Sequence, residues 1–432
     1  MRFKRASLAA AIVVCFGVRA LADGNPTVVT ISDAIDADFA SALGGGKGDL
    51  TAGSINDPCN CGNSNACGSC AGERFGRGAA SFMLPGEFTL SGWLEAGATA
   101  SADSPITRSV SPVAFNDRQE VQMNQLYASL GRNVHTECQC FDFGGRIDLL
   151  YGTDARFVQA TGLETRRDGS AKWNTASFYQ LAMPQVYAEV GLGNLSVKVG
   201  HWYSPIGYEN VTAPDNFFYS HSYSEVYGQP FTHTGVLTTY AMSEHAAVYA
   251  GIHNGWDNFD ASTNRGALLT GVNWASCDGR RTLAFGITSG DEINNQAVYS
   301  DRTMYSIVAG VALADRLQYV LEHDMGWQRD DLAPGLDSEW YGLNQALLYT
   351  INDCWKIGGR MEWFRDDDGV RVANASGSYY AMTIGMNWIL ASDFMIRPEV
   401  RWDWFDGAGG HPFDNGTKDE QFTGAFDAIL LW

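Results

Sequence analysis

Residues 141–149 read Phe141-Asp142-Phe143-Gly144-Gly145-Arg146-Ile147-Asp148-Leu149, and they alternate. Phe141, Phe143, Gly145, Ile147 and Leu149, continued by Tyr151, form one set; Asp142, Gly144, Arg146 and Asp148 form the other. Successive side chains of a strand point to opposite faces, so this segment is a strand with one apolar face and one polar or small face. The same period runs from Phe88 to the end of the chain. Phe88, Leu90, Leu94, Ala96 and Ala98 oppose Thr89, Ser91, Glu95 and Thr99, and Leu195, Val197 and Val199 oppose Ser196, Lys198 and Gly200. Ile357, Met361 and Trp363 oppose Lys356, Arg360 and Glu362; Ile396, Val400, Trp402 and Trp404 oppose Arg397, Glu399, Arg401 and Asp403. In the last segment Phe422, Phe426, Leu430 and Trp432 oppose Thr423 and Asp427.

Sixteen segments of this kind are predicted as strands: 88–100, 121–131, 141–152, 178–191, 195–203, 234–242, 246–254, 267–275, 281–289, 303–313, 317–327, 339–350, 355–365, 378–389, 394–404 and 422–432. The gaps between them alternate long and short. Short gaps fall at 132–140, 192–194, 243–245, 276–280, 314–316, 351–354 and 390–393, and long ones at 101–120, 153–177, 204–233, 255–266, 290–302, 328–338, 366–377 and 405–421. A sandwich or propeller has no reason to place every short turn at one end. An up-and-down outer-membrane barrel does, with short periplasmic turns and longer outer loops. Strands of this length cross a bilayer when tilted, and closure satisfies every backbone group in lipid. The expected fold is therefore all-β: a transmembrane antiparallel up-and-down barrel of about 16 strands (14–18) over 88–432, wide enough for an aqueous channel. Pro184 and Pro398 fall inside strands, where each requires a bulge or a displaced strand end. Trp274, Trp355, Trp388 and Trp432 lie near the short-turn side, and Trp173, Trp202, Trp256, Trp327, Trp363 and Trp404 near the other, as aromatic girdles would.

Composition agrees with that class and excludes others. The 432 residues are 45% apolar and 18% charged, with 48 Gly and 13 Trp, which is too apolar for disorder and too rich in Gly for a coiled coil. A net charge of −20 argues against nucleic acid as a partner. Arg2, Lys4 and Arg5 precede an apolar run from Ala6 to Val18 and the small-x-small triplet Ala20-Leu21-Ala22. Residues 1–22 therefore read as a signal peptide, with a mature start at Asp23. Removing Arg2, Lys4, Arg5 and Arg19 takes the net charge from −20 to −24. After it, the longest apolar run, Ile307–Ala314, is too short for a spanning helix. The chain is expected to be exported to the bacterial outer membrane, with outer-membrane lipid and the barrel-assembly machinery as partners.

Residues 23–87 lack the barrel pattern and are expected to form a small periplasmic or plug segment. Within it, 29–43 allows a short helix capped by Ser32, and Gly44–Gly48 reads as a linker. Cys59, Cys61, Cys67 and Cys70 follow. The remaining mature cysteines, Cys138, Cys140, Cys277 and Cys354, all fall in short turns. Eight cysteines in an exported chain favour disulfides of unknown connectivity; zinc at the first four and free thiols are the alternatives.

Several segments together resemble the putative β-barrel porin-2 family (OmpL-like) of bacterial outer membranes. They are VKVGHWYSPIGYE at 197–209, QPFTHTG at 229–235, YVLEHDMGWQ at 319–328, SEWYGLNQALLYT at 338–350, GRMEWFRDDDGVR at 359–371 and RPEVRWDWFD at 397–406. The resemblance covers about 88–432 and implies an outer-membrane porin passing ions and small hydrophilic solutes, with no catalytic residue to carry over.

The longest loop, 204–233, is expected to fold into the lumen. It carries Glu209, Asp215 and Glu225, no Lys or Arg, and seven aromatics. In a sixteen-strand ring the opposite wall carries Lys356, Arg360, Arg397 and Arg401. Acidic loop and basic wall would set a transverse field across a water-filled constriction. Alternatively Arg360 with Glu362, and Arg397, Glu399, Arg401 and Asp403 among themselves, are paired and structural. Asp366–Asp368 is expected to be a solvated loop, with Ca²⁺ or Mg²⁺ at such acidic outer loops a secondary possibility; no other cofactor and no structural metal is expected. No nucleophile constellation is visible. His201, His233, His253 and His323 are scattered, no G-x-S-x-G occurs, and Glu322-His323 lacks the second zinc-binding His. The remaining readings are a sugar-specific channel with loop aromatics as a stacking track, a closed structural or adhesin barrel, and a soluble exported β-protein. Inward faces read as Gly- and Ser-rich and polar favour water in the lumen. The choice between monomer and trimer stays open.

Overall fold

A computed structural model describes residues 81–432, apart from 104, 137–139, 174–177, 262–264, 295–296 and 374. The expectations for 1–22, for the helix at 29–43, for the Gly44–Gly48 linker and for Cys59, Cys61, Cys67, Cys70 and Cys138 lie outside the described residues.

Seventeen strands form one sheet: β1 (Phe82–Leu84), β2 (Phe88–Ser101), β3 (Val121–Arg132), β4 (Phe141–Gly152), β5 (Gln180–Leu192), β6 (Leu195–Tyr203), β7 (Thr232–Ser243), β8 (Ala246–His253), β9 (Ala267–Ala275), β10 (Arg281–Ile293), β11 (Tyr299–Ala314), β12 (Leu317–Ala333), β13 (Leu336–Asn352), β14 (Trp355–Asp366), β15 (Ser376–Ala391), β16 (Phe394–Ala408) and β17 (Glu420–Leu431). From β2 to β17 each strand pairs antiparallel with the next, and β17 pairs back with β2 through Thr423↔Ser101 to Leu431↔Trp93. The ring is closed with sixteen strands, as the alternation predicts. Each predicted segment overlaps one of these strands.

Three details differ from the sequence reading. Residues 82–84, placed outside the barrel, form β1, a short hairpin arm pairing Phe82↔Leu90 on β2. It lies just below the point where Trp432 exchanges backbone hydrogen bonds with Gly92. The gap at 328–338 is mostly strand, because β12 and β13 run past the rim to a turn at Pro334-Gly335, where Gly335 supplies φ +81°. Of the two prolines only Pro184 is absorbed as expected; Pro398 lies within β16 with neither a bulge nor a displaced strand end. Pro184 sits at a bulge, between the pairs Asp148↔Gln185 and Leu150↔Ala182. Opposite Pro398 the β15–β16 ladder omits Met386 and Asn387, and the register is the same on either side.

The outer face is a continuous apolar belt. Phe143, Ile147, Val199, Ile252, Leu268, Met361, Ile384, Val400, Trp402 and Phe426 are all exposed there. Trp355 stacks on Trp388 at 5.0 Å and Tyr380 on Trp404 at 5.2 Å, on neighbouring strands near the two ends of the belt. Trp202 and Trp256 do not join a girdle: both are buried, packed with Tyr223, Tyr249 and Trp340. Their positions near strand ends could not show which side they face. Two polar side chains interrupt the belt on neighbouring strands. Tyr305 reaches His323 and Tyr319 donates to Gln345, so tyrosines cover the polar atoms.

The inward face is bulkier than its glycines and serines suggest. Trp93, Tyr127, Leu150, Met395 and Ile429 form one apolar cluster inside the ring; Trp202, Tyr249, Met304, Trp340, Phe364, Tyr379 and Phe405 form a second; Ala284, Val308, Val320 and Ala346 form a third with Phe218. Loops complete these clusters from within.

Candidate functional site: the inward loop and the lumen wall

The chain between β6 and β7 fills much of the lumen. It contains a 3-10 turn at Ala213–Asp215 and a π-helical turn at Ser224–Gly228. Several walls hold it. On β3 a bulge between the pairs Glu95↔Gln125 and Ala96↔Met123 turns two consecutive side chains, Asn124 and Gln125, inward. Gln125 accepts from Ala213 N (3.1 Å) and donates to Val211 O (2.7 Å), while Asn124 accepts from the Tyr219 hydroxyl (2.9 Å). On β12, Glu322 accepts Tyr208 N and the Gln229 amide, both at 2.8 Å. On β13 the Trp340 indole donates to Gly228 O. On β16, Glu399 accepts the backbone N–H groups of Tyr219 and Ser220, and on β14 Glu362 accepts that of Tyr223. Glycine makes the approach possible at two points: a Cβ on Gly358 would lie 2.6 Å from the Phe217 ring, and one on Gly385 would lie 2.9 Å from Phe218. Burial pushes the phenols of Tyr219 and Tyr223 well above their ordinary range.

The structure brings the predicted acidic loop and basic wall into contact instead of holding them apart across water. Arg360 pairs with Glu209 and, at 2.8 Å, with Glu362, and donates to Ser220 O at 2.8 Å. Arg397 pairs with Asp427 on β17, directly opposite, and donates to Ala213 O (2.8 Å) and Asn216 O (2.6 Å). Arg401 pairs with Asp403 at 2.8 Å and donates to His221 O at 2.7 Å. All three guanidiniums are buried. Each thus uses one edge on a wall carboxylate and another on loop carbonyls, which is how a fork with five donors can staple two backbones. Arg397 does not pair with Glu399 as the sequence pattern allows, because Glu399 is taken by the loop.

The other predicted residues scatter. Asp215 is exposed and accepts from the Thr212 hydroxyl, Glu225 is buried in the π-helical turn, and Lys356 lies at the short-turn end of the inward face of β14. The loop's aromatic side chains do not form an open track, because Phe218, Tyr219, Tyr223 and Phe231 are buried against the wall. Asp366–Asp368 serves the protein. Asp366 is buried and accepts the N–H groups of Val370, Arg371 and Val372, Asp367 pairs with Arg365, and Asp368 accepts Glu339 N. Cys140 is in a disulfide, whereas Cys277 and Cys354 carry free, exposed thiols, contrary to the expectation of disulfides there. Those two occupy separate turns, and among the described residues neither meets a cysteine partner.

A second group of lumen residues escaped the sequence reading. Arg302 on β11 and Arg371 in the β14–β15 loop lie over the faces of Trp256 and Trp340 near the outer rim. A usable signal existed. Arg146, Arg360 and Arg401 each have a carboxylate two residues on, on the same strand face, and Arg302 has Met304.

A closed ring of antiparallel strands with an apolar exterior and a long loop folded into its lumen is the architecture of an outer-membrane porin. The sequence places the chain more narrowly. Residues 87–431 match the family described as putative β-barrel porin-2, OmpL-like, and the chain belongs to that family. Its structure is similar to the anion-selective porin from Comamonas acidovorans, at 10% identity and a TM-score of 0.56 over 80% of this chain and 99% of that one. It is also similar to outer-membrane expressed OmpT of Vibrio cholerae, at 12% identity and a TM-score of 0.51 over 81% and 100%. At such identities the likeness is one of fold. No curated protein sequence matches the chain.

Proposed function

We propose that this porin is a passive channel for ions and small hydrophilic solutes whose cross-section is set by loop 204–231, and that it works as a channel and not as an enzyme. The observation that carries the reading is the stapling of this loop to β14 and β16 by Arg360, Arg397 and Arg401. A loop held to several walls keeps one shape, so the free lumen beside it has a defined size. Each guanidinium of the staple is buried and paired with a wall carboxylate, so these three cations are not offered to a passing solute. The N-terminal pattern supports export with a cleaved leader, folding by the barrel-assembly machinery and residence in outer-membrane lipid.

Single-channel recording in planar bilayers tests the proposal. The wild-type barrel should give discrete, steady conductance steps. Deleting residues 213–224 from the loop should raise the unitary conductance several-fold. Equal conductance with and without those residues would show that the loop does not set the bore.

A further inference from the structure

Arg302 and Arg371 differ from every other guanidinium discussed inside the ring. Arg146, Arg360, Arg397 and Arg401 each touch a carboxylate. Among the described residues, Arg302 and Arg371 form no ion pair. Arg302 donates from Nε and Nη2 to the neutral Gln328 at 2.9 and 2.7 Å, and weakly to Ile293 O. Its register explains this: directly opposite stand Gly290 on β10 and Gln328 on β12. Arg371 donates from Nε to Tyr227 O at 2.7 Å. Among the described residues, Nη1 of Arg302 and both Nη atoms of Arg371 have no hydrogen-bond acceptor.

Both groups are positioned by aromatic faces. The guanidinium of Arg302 is 4.9 Å from the Trp256 ring; that of Arg371 is 5.5 Å from Trp256 and 4.7 Å from Trp340. The two indoles meet edge to face at 6.1 Å and are buried, whereas both arginines are half-buried. Stacking holds a guanidinium by its face and leaves its N–H edge free. Nearby carboxylates are occupied by backbone donors. Asp366 holds the turn at 370–372, Asp257 accepts Phe231 N and Thr232 N, and Glu292 accepts Trp256 N. Burial, and then the neighbouring Arg302, push the Arg371 guanidinium down to about 9 against the opposing pull of Asp366, Asp331 and Asp257, so it stays charged at neutral pH.

We propose that Arg302 and Arg371 form an oxyanion-binding site at the outer mouth of the channel, taking small carboxylates or phosphate monoesters through the free guanidinium edges. Such planar forks bind both groups bidentately. The site lies on strand β11 and on the β14–β15 loop, whose Arg371 touches the inward loop at Tyr227, so an anion held there stands at the way in. This inference rests on the channel reading for its consequence, retention of anions ahead of permeation, and on its own geometry for binding.

Inorganic phosphate is the probe. In planar bilayers bathed in KCl, phosphate added to each side in turn should reduce the chloride current through the wild-type barrel. Arg302→Gln and Arg371→Gln should each raise the half-blocking concentration at least tenfold. Arg329→Gln is the control, since Arg329 is exposed at the same end and pairs with exposed Asp301 at 3.3 Å; it should leave the block unchanged. An equal shift in all three variants would assign the block to surface charge and overturn the site. Isothermal titration of phosphate into the detergent-folded barrel reads binding without conduction. Saturable binding in the wild type that Arg371→Gln loses supports the site even where the channel reading fails. No binding and no block in the wild type overturns the site and leaves the channel reading untouched.

Discussion

Two regions of the lumen carry arginines, and they use them in opposite ways. On β14 and β16 the guanidiniums of Arg360, Arg397 and Arg401 are buried, paired and spent on the backbone of the inward loop. At the outer mouth Arg302 and Arg371 are half-buried, stacked on indoles and unpaired by any acid among the described residues. The formal charge is the same on every one of them. What differs is the residue opposite and two along, and that decides whether an arginine builds the wall or meets the solute. Counting charges on a pore face therefore overstates its field wherever a loop has docked.

The comparison breaks most sharply at Arg360. Replacing it with Met leaves Glu209 buried without its cation and Glu362 with only the longer 3.4 Å contact to Arg401, a change that costs about 3–5 kcal/mol. The urea midpoint of the detergent-folded barrel should fall accordingly, and the conductance should become noisy as the loop loosens. An unchanged midpoint would mean that the staple is decorative. Overpacking the same contact from the wall side has a smaller effect. Gly385→Val drives a side chain into Phe218 and should destabilise by about 1–3 kcal/mol, with a change in unitary conductance as the loop shifts.

A titration sharpens the point from the loop's other anchor. Asp154 is buried beside Asn124 and Gln125, and burial pushes its carboxyl up to about 6. A carboxyl whose folded pKa exceeds its unfolded value of about 4 adds stability that is complete below pH 4 and is lost as pH rises through 6. Midpoints measured between pH 4 and pH 7 should therefore decline less steeply in Asp154→Asn than in the wild type; parallel profiles would contradict the assignment. The smallest effect belongs to the mouth. Arg371→Gln removes a charge that forms no ion pair among the described residues and loses its cation–π contacts with Trp256 and Trp340, so the stability should change by less than about 1 kcal/mol. A loss as large as that at Arg360 would show that the two regions are not different after all.

The barrel was legible from Phe88 onward because lipid on one side and a polar interior on the other impose a strict period of two. Even the troublesome prolines announced their irregularities: Pro184 lies at a bulge and Pro398 at a lapse in its ladder. The acidic loop and the basic wall were also visible as separate features, and Arg360 and Glu209 do meet. Their contact was not visible, because alternation reports which way a side chain points and not how far a loop reaches. The mouth site was missed for a related reason. Arg302 falls just before the strand start at 303 that the pattern suggested, and Arg371 belongs to a loop, where no period operates.

Strand number, closure, the lipid-facing surface and the identity of the inward loop follow from the amino-acid order alone, since each is enforced by local alternation and by the need to satisfy every backbone group in a membrane. Which lumen charges are cancelled, which indoles leave the girdle for the interior and which guanidiniums stay available were decided only by tertiary structure. Those outcomes depend on neighbours across the sheet and on a loop crossing the barrel, at sequence separations that no local pattern encodes.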